Sequence, residues 1–275
     1  MLGAGTMGHG IAHAAAAAGF DTAMYDVSRA AVEKGRQRIE AILKKGVELG
    51  KTAQSEAAAA LARLSISDRL EEVLAGADFV IEAAPEKIDL KLHLIAEIDT
   101  HAPAHAIVTT NTSALSITEM AGASANPGRV AGMHFFNPVH RMKLVEIVRA
   151  LETSPAALEA VDAVSRQMGK ETVLVRESPG FITTRVNASI GNEAFYMLME
   201  GVASARDIDK ALKLGLNHPM GPFELVDLVG LDTRLNILEY LHKSMGEKYR
   251  PCPLLAQYVK AGRLGRKTGR GVYDY

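Results

Sequence analysis

The chain has no tryptophan and a single cysteine, Cys252, which stands between Pro251 and Pro253. One thiol excludes an internal disulfide and fits a reducing compartment. Histidine and cysteine nowhere gather at metal-ligand spacing, so no metal is expected. Charge of one sign is missing too: 31 basic residues balance 32 acidic ones, and they are scattered, which leaves no electrostatic case for nucleic acid. No run of about 20 apolar residues is available to cross a membrane. The apolar stretch Ala14 to Ala18 lacks the basic region of a signal peptide, and His9, Gly10 and His13 interrupt it. These absences point to a soluble, cytoplasmic protein, and 275 residues at 48% hydrophobic suffice for two packed domains.

What is present begins with Gly3-Ala4-Gly5-Thr6-Met7-Gly8, a G-x-G-x-x-G motif that opens an alanine-rich helix from Ile11. The first glycine makes a tight turn, the second lets backbone approach a pyrophosphate, and the third permits close helix–strand packing. Asp21 to Asp26 reads as the following strand and ends in an acid at the distance expected for binding the adenosine ribose hydroxyls. That carboxylate favours NAD over NADP, with Arg29 opposing only slightly. A strand of about 5–6 residues should precede the motif, yet only Met1 and Leu2 stand there. The expectation is a start assigned too late; the alternative is a truncated first strand.

Helices are expected over 28–49, 52–64, 68–75, 88–100 and 154–167, and strands over 64–67, 77–84, 106–110 and 170–175. Glu177-Ser178-Pro179-Gly180 reads as a joint, and beyond it only helices are expected: 181–200, 203–214, 221–229, 232–245 and 254–261. The fold class is therefore α/β. A Rossmann-type domain with a mostly parallel sheet occupies 1–177, and an all-α domain occupies 178–275.

Candidate chemistry lies at strand ends. Arg129 to Phe135 and Lys143 to Val148 read as strands with a turn signal at Asn137-Pro138 between them, and a hairpin folding back near His140 sets His134 roughly opposite Glu146. An imidazole suits removal of an alcohol proton near neutral pH, and a neighbouring carboxylate fixes its tautomer. A core histidine satisfied by an acid is the bland alternative. Asn111-Thr112-Ser113 leaves a buried strand, either as a helix cap or as donors to a carbonyl oxygen. Glu86 and Lys91 follow another strand end, where ligands of such sheets collect.

Taken together, these residues resemble the L-3-hydroxyacyl-CoA dehydrogenases, specifically the short members acting on 3-hydroxybutyryl-CoA. The specific pieces are Asn111-Thr112-Ser113, His134 to Pro138, Lys143 to Glu146, Pro179-Gly180-Phe181, His218 to Leu225 and Lys267 to Gly271. The resemblance implies reversible NAD-dependent oxidation of a (3S)-3-hydroxyacyl-CoA, in fatty-acid β-oxidation, by a homodimer formed through the helical half. It implies His134 as base with Glu146 behind it, and Ser113 touching substrate and cofactor. It places Gly3, Gly5, Thr6, Met7, Gly8, Asp26, Glu86, Lys91, Asn137 and Lys267 at NAD. Two departures stand out. Thr184 occupies the place of the family's asparagine, so Thr184 or Asn187 is expected to donate to substrate. A serine that contacts CoA falls on Ile42, which leaves Lys44, Lys45 and Lys51 as weaker CoA candidates, a solvated helix face being the alternative. Other functions compatible with the sequence are a 3-hydroxyadipyl-CoA dehydrogenase, a gulonate-type dehydrogenase of free acids, and a non-catalytic NAD-binding or structural protein.

Overall fold

Leu2 lies between two strands and pairs in parallel with Tyr25 on one side and Glu82 on the other. Its backbone N–H donates to the Ile81 carbonyl at 2.9 Å and its carbonyl accepts from Ala83 at 2.8 Å. The strand before the glycine motif is thus a single bridging residue in the computed structural model, which describes residues 1–275. Around it run β1 (Thr22–Tyr25), β2 (Leu64–Ser67), β3 (Phe79–Glu82), β4 (Ile107–Thr110), β5 (Val130–Phe135), β6 (Leu144–Arg149) and β7 (Glu171–Arg176). Their order is β2-β1, then β3-β4-β5-β6-β7, with β5–β6 the antiparallel pair and every other pairing parallel.

The connections are α1 (Gly8–Ala17), α2 (Arg29–Glu48), α3 (Gln54–Ala62), α4 (Leu70–Leu74), α5 (Ile88–His101), α6 (Ile117–Ala121) and α7 (Pro155–Gln167). Ser28 and Ser154 cap α2 and α7 by accepting from Ala31 and Ala157, as small hydroxyl residues do at free helix N–H groups. The short α6, capped by Ser116, is not foreseen from sequence. Strand β3 is shorter than 77–84 because the Ala77 N–H still closes the turn after α4 onto Leu74. All six residues of β5 are buried, which requires cover on both faces. Gly132 shows how tight that cover is, since a Cβ there would meet Ile117 Cδ1 at 2.3 Å and Val148 Cβ at 2.7 Å.

The chain divides into two units, Met1–Glu177 and Ser178–Tyr275. The second is helical: α8 (Thr183–Met199), α9 (Ala205–Gly215), α10 (Pro222–Val229), α11 (Leu231–Met245) and α12 (Pro253–Lys260). Its core gathers Phe195, Phe223, Leu231, Leu238, Leu241 and Leu255. Asp227 on α10 accepts from the backbone N–H of Val272 and Tyr273 and from the Tyr275 hydroxyl, and so fastens the terminal segment. Asp209 accepts from Phe223, Glu224 and Tyr273 in the same way. No helix is long and apolar enough to cross a membrane.

Candidate active site

The β5–β6 register places His134 directly opposite Glu146. Nδ1 of the imidazole lies 2.7 Å from Glu146 Oε2, and both residues are buried, Glu146 completely. An ionised carboxylate only accepts, so Nδ1 carries the hydrogen and Nε2 keeps its lone pair in the neutral ring. Nε2 faces Ser113 Oγ at 3.2 Å. Phe136 tilts over the imidazole with ring centroids 4.6 Å apart. Acid, imidazole and hydroxyl therefore form one line, with the basic nitrogen at the serine end.

Ser113 owes its place to the turn that leaves β4. The Asn111 side-chain oxygen accepts from the Phe135 N–H at 2.8 Å, which ties this turn to the strand carrying His134. Glu86 Oε1 accepts from the Thr112 hydroxyl at 2.5 Å and from the Ser113 N–H at 3.0 Å. The Thr112 hydroxyl also accepts from Leu115 at 3.1 Å. Thr112 thus closes a local turn ahead of α6, whose cap is Ser116, while Glu86 fixes the Ser113 backbone. Lys91 is almost completely buried, and its ammonium lies 2.7 and 2.9 Å from the two oxygens of Glu82 and 3.3 Å from the Ala84 carbonyl. Glu86 Oε2 is 3.7 Å away. Glu82 and Thr110, whose hydroxyl donates to Glu82 at 2.6 Å, are absent from the sequence-derived set. The available signal was an acid closing the apolar run Phe79-Val80-Ile81: a charge inside a buried strand needs a partner.

The glycine loop fits a dinucleotide. Gly3 has φ of 93°, and a Cβ on it would press the Ala83 carbonyl at 2.7 Å. On Gly8 a Cβ would fall 1.7 Å from the Gly3 carbonyl oxygen, whereas at Gly5 it would meet nothing within 4 Å, so that side is open to an approaching group. Helix α1 starts at Gly8 with no side-chain cap at Met7, leaving its first N–H groups and dipole for phosphates. Asp26 closes the loop by accepting from the Ala4 N–H at 2.9 Å. A carboxylate has about four lone-pair sites, so it retains capacity for ribose hydroxyls.

The exposed Asn137 follows β5, and the segment after it is clamped to α1. Val139 packs on Gly10, where a Cβ would come within 3.0 Å of Val139 Cγ2. Lys170 donates to the carbonyls of Val139 and Met142 at 2.5 and 2.9 Å. His13 and His140 meet edge to face at 6.3 Å, and His13 Nδ1 is buried without a hydrogen-bond partner. Burial, with His140, His9 and Lys170 adding positive charge nearby, pushes His13 down to about 4.

Thr184, Asn187 and Lys267 belong to the second unit. Thr184 lies in the first turn of α8, with Asn187 exposed three residues on. Lys267 donates to both oxygens of Asp232, at 2.6 and 2.7 Å. Lys44, Lys45 and Lys51 are exposed, and Lys45 pairs with Glu48 at 3.1 Å.

Comparison with known proteins matches both units to one family. The model described as 3-hydroxyacyl-CoA dehydrogenase, NAD binding domain, covers residues 1–178, and that of its C-terminal domain covers 180–275. A Bacillus subtilis protein named "Probable 3-hydroxybutyryl-CoA dehydrogenase" is 50% identical over 100% of this chain and 96% of its own length. The 3-hydroxybutyryl-CoA dehydrogenase of Bradyrhizobium diazoefficiens is 44% identical, over 100% and 94%. The crystal structure of (S)-3-hydroxybutyryl-CoA dehydrogenase from Ralstonia eutropha superposes with a TM-score of 0.95 at 46% identity, covering 100% of this chain and 97% of that one.

Proposed function

The chain belongs to the 3-hydroxyacyl-CoA dehydrogenase family, and on that premise we propose that it interconverts short-chain (3S)-3-hydroxyacyl-CoA and 3-oxoacyl-CoA, 3-hydroxybutyryl-CoA above all. It is an NAD-dependent oxidoreductase acting on a CH–OH group. The observation that carries the mechanistic reading is the line Glu146–His134–Ser113, with distances of 2.7 and 3.2 Å.

NAD, when bound, supplies the hydride acceptor for C3 of the substrate. Gly3, Gly5, Thr6, Met7, Gly8 and Asp26 would hold its adenosine and phosphate portion, and Glu86, Asn137 and Lys267 its remainder. His134 takes the hydroxyl proton at Nε2 as the C3–H pair departs and the C3–O double bond forms. The ring is then an imidazolium, and Glu146 at Nδ1 stabilises it. Ser113 donates to the substrate oxygen and orients it toward Nε2. In the reduction direction the same proton returns to the alkoxide. Thr184 or Asn187 adds a donor at the thioester side, and Lys44, Lys45 and Lys51 attract the CoA phosphates. The enzyme works in the cytoplasm as a homodimer through its helical unit.

Rates with NADH on acetoacetyl-CoA, 3-oxoadipyl-CoA and free 3-oxo acids test this reading. The expected order is acetoacetyl-CoA first and free acids negligible. Faster turnover of a free acid would overturn the CoA assignment. Alanine at Thr184 and at Asn187, each leaving kcat/KM unchanged, would remove both from the substrate contacts.

A further inference from the structure

We infer that Glu82, acting through Lys91, Glu86 and Thr112, is a positioning residue for Ser113. The inference rests on the reading of Ser113 and His134 as the reacting pair, and extends it to Glu82 and the groups that link it to Ser113.

Glu82 is completely buried at the carboxyl end of β3. Its oxygens receive the Ala84 N–H at 2.5 Å, the Lys91 ammonium at 2.7 and 2.9 Å, and the Thr110 hydroxyl at 2.6 Å. The first of these donors fixes the chain just after β3, the second fixes α5, and the third fixes the end of β4. Three elements therefore converge on one carboxylate. Lys91 has three N–H donors, and Glu82 and the Ala84 carbonyl take all three. Its charge still acts on Glu86, whose nearer oxygen is 3.7 Å off. Glu86 in turn holds the Thr112 hydroxyl and the Ser113 N–H on its other oxygen. A second link runs through the backbone: the Thr112 N–H donates to the Thr110 hydroxyl at 3.3 Å, and that hydroxyl is already pinned to Glu82. Both routes end at the residue whose Oγ sits 3.2 Å from His134 Nε2.

A purely structural pair has no need of this wiring, because an apolar pair of the same size stabilises a core as well or better. Misplacing a reacting group by about 1 Å can cost a hundredfold in rate, and a buried, fully bonded network is a stiff means of preventing it. Lys91 accordingly serves the site by holding Glu82 and Glu86, its own donors being spent inside the protein.

The test is a double-mutant cycle on acetoacetyl-CoA reduction by NADH, with Glu82→Gln and Ser113→Ala singly and together. Glu82→Gln is expected to lower kcat about tenfold to a hundredfold and to move the KM for acetoacetyl-CoA less than about twofold. Placed on Ser113→Ala, it should add less than about twofold, because its effect travels through the missing hydroxyl. Losses that multiply in the double variant, or an unchanged kcat in Glu82→Gln, would overturn the inference. If Glu82→Gln does not fold, Thr112→Val takes its place in the same cycle, with Thr112→Ser restoring kcat. A wild-type enzyme inactive on every acyl-CoA would instead remove the functional reading beneath it.

Discussion

Glu82 and Glu146 are the same residue type, equally buried, on one sheet, and they differ in the cation they face. Glu82 meets an ammonium, gripped at 2.7 and 2.9 Å. Glu146 meets an imidazole at 2.7 Å, which carries charge only when it holds a second proton. A fixed charge opposite a buried acid yields geometry; a switchable one yields a place to put a proton. On the function proposed above, the first is the frame and the second is the place for the chemistry, within one domain.

The comparison breaks most easily at the imidazole. His134→Gln is expected to lower kcat for acetoacetyl-CoA reduction about a thousandfold to ten-thousandfold, the scale of a general base. A loss below tenfold in steady-state assays would make the histidine another frame element. At the ammonium the large effect should be on folding instead: Lys91→Met strands a buried carboxylate and should cost about 3–5 kcal/mol in urea unfolding. Unchanged stability there would mean Glu82 is not held as described.

His13 sharpens the contrast from the opposite side, as a half-buried base whose Nδ1 is buried without a hydrogen-bond partner. Its folded-state proton affinity, near 4, lies below the ordinary value of about 6.5. The unfolded chain therefore binds a proton that the folded one refuses, and stability present above pH 6.5 is lost as pH falls toward 4, by up to about 3 kcal/mol. Urea midpoints at pH 7 and 4.5 should differ less in His13→Gln than in the wild type. Asp227 is an acid held by neutral donors alone, and Asp227→Ala should cost about 1–3 kcal/mol by stranding them. The smallest effect belongs to an exposed pair such as Arg36–Glu40, 3.0 Å apart: Arg36→Ala should change stability by less than about 0.5 kcal/mol.

Much of this was legible because it is local. The glycine motif and the apolar strands carry their signals within a few residues. The joint before Ser178 is marked by proline and glycine side by side. The opposition of His134 and Glu146 was legible because one short turn joins the two strands, so register follows from counting. Glu82 was not, since its partner Thr110 lies 28 residues away on another strand and its burial depends on the whole sheet closing over it. Helix α6 escaped for a related reason: five residues carry little periodicity, and it is Ile117 seated on Gly132 that fixes it. The place of Lys91 near a strand end was legible, whereas the direction of its ammonium, toward Glu82 and the Ala84 carbonyl, is a matter of packing.

The clamp of Lys170 and Gly10 on the segment after Asn137 has a metrical consequence. Helix α1 and the Asn137 turn are the two jaws of a caliper whose hinge is locked shut by Val139. A locked caliper keeps one opening, so the spacing between α1 and the Asn137 turn is set by backbone packing rather than by any exposed side chain.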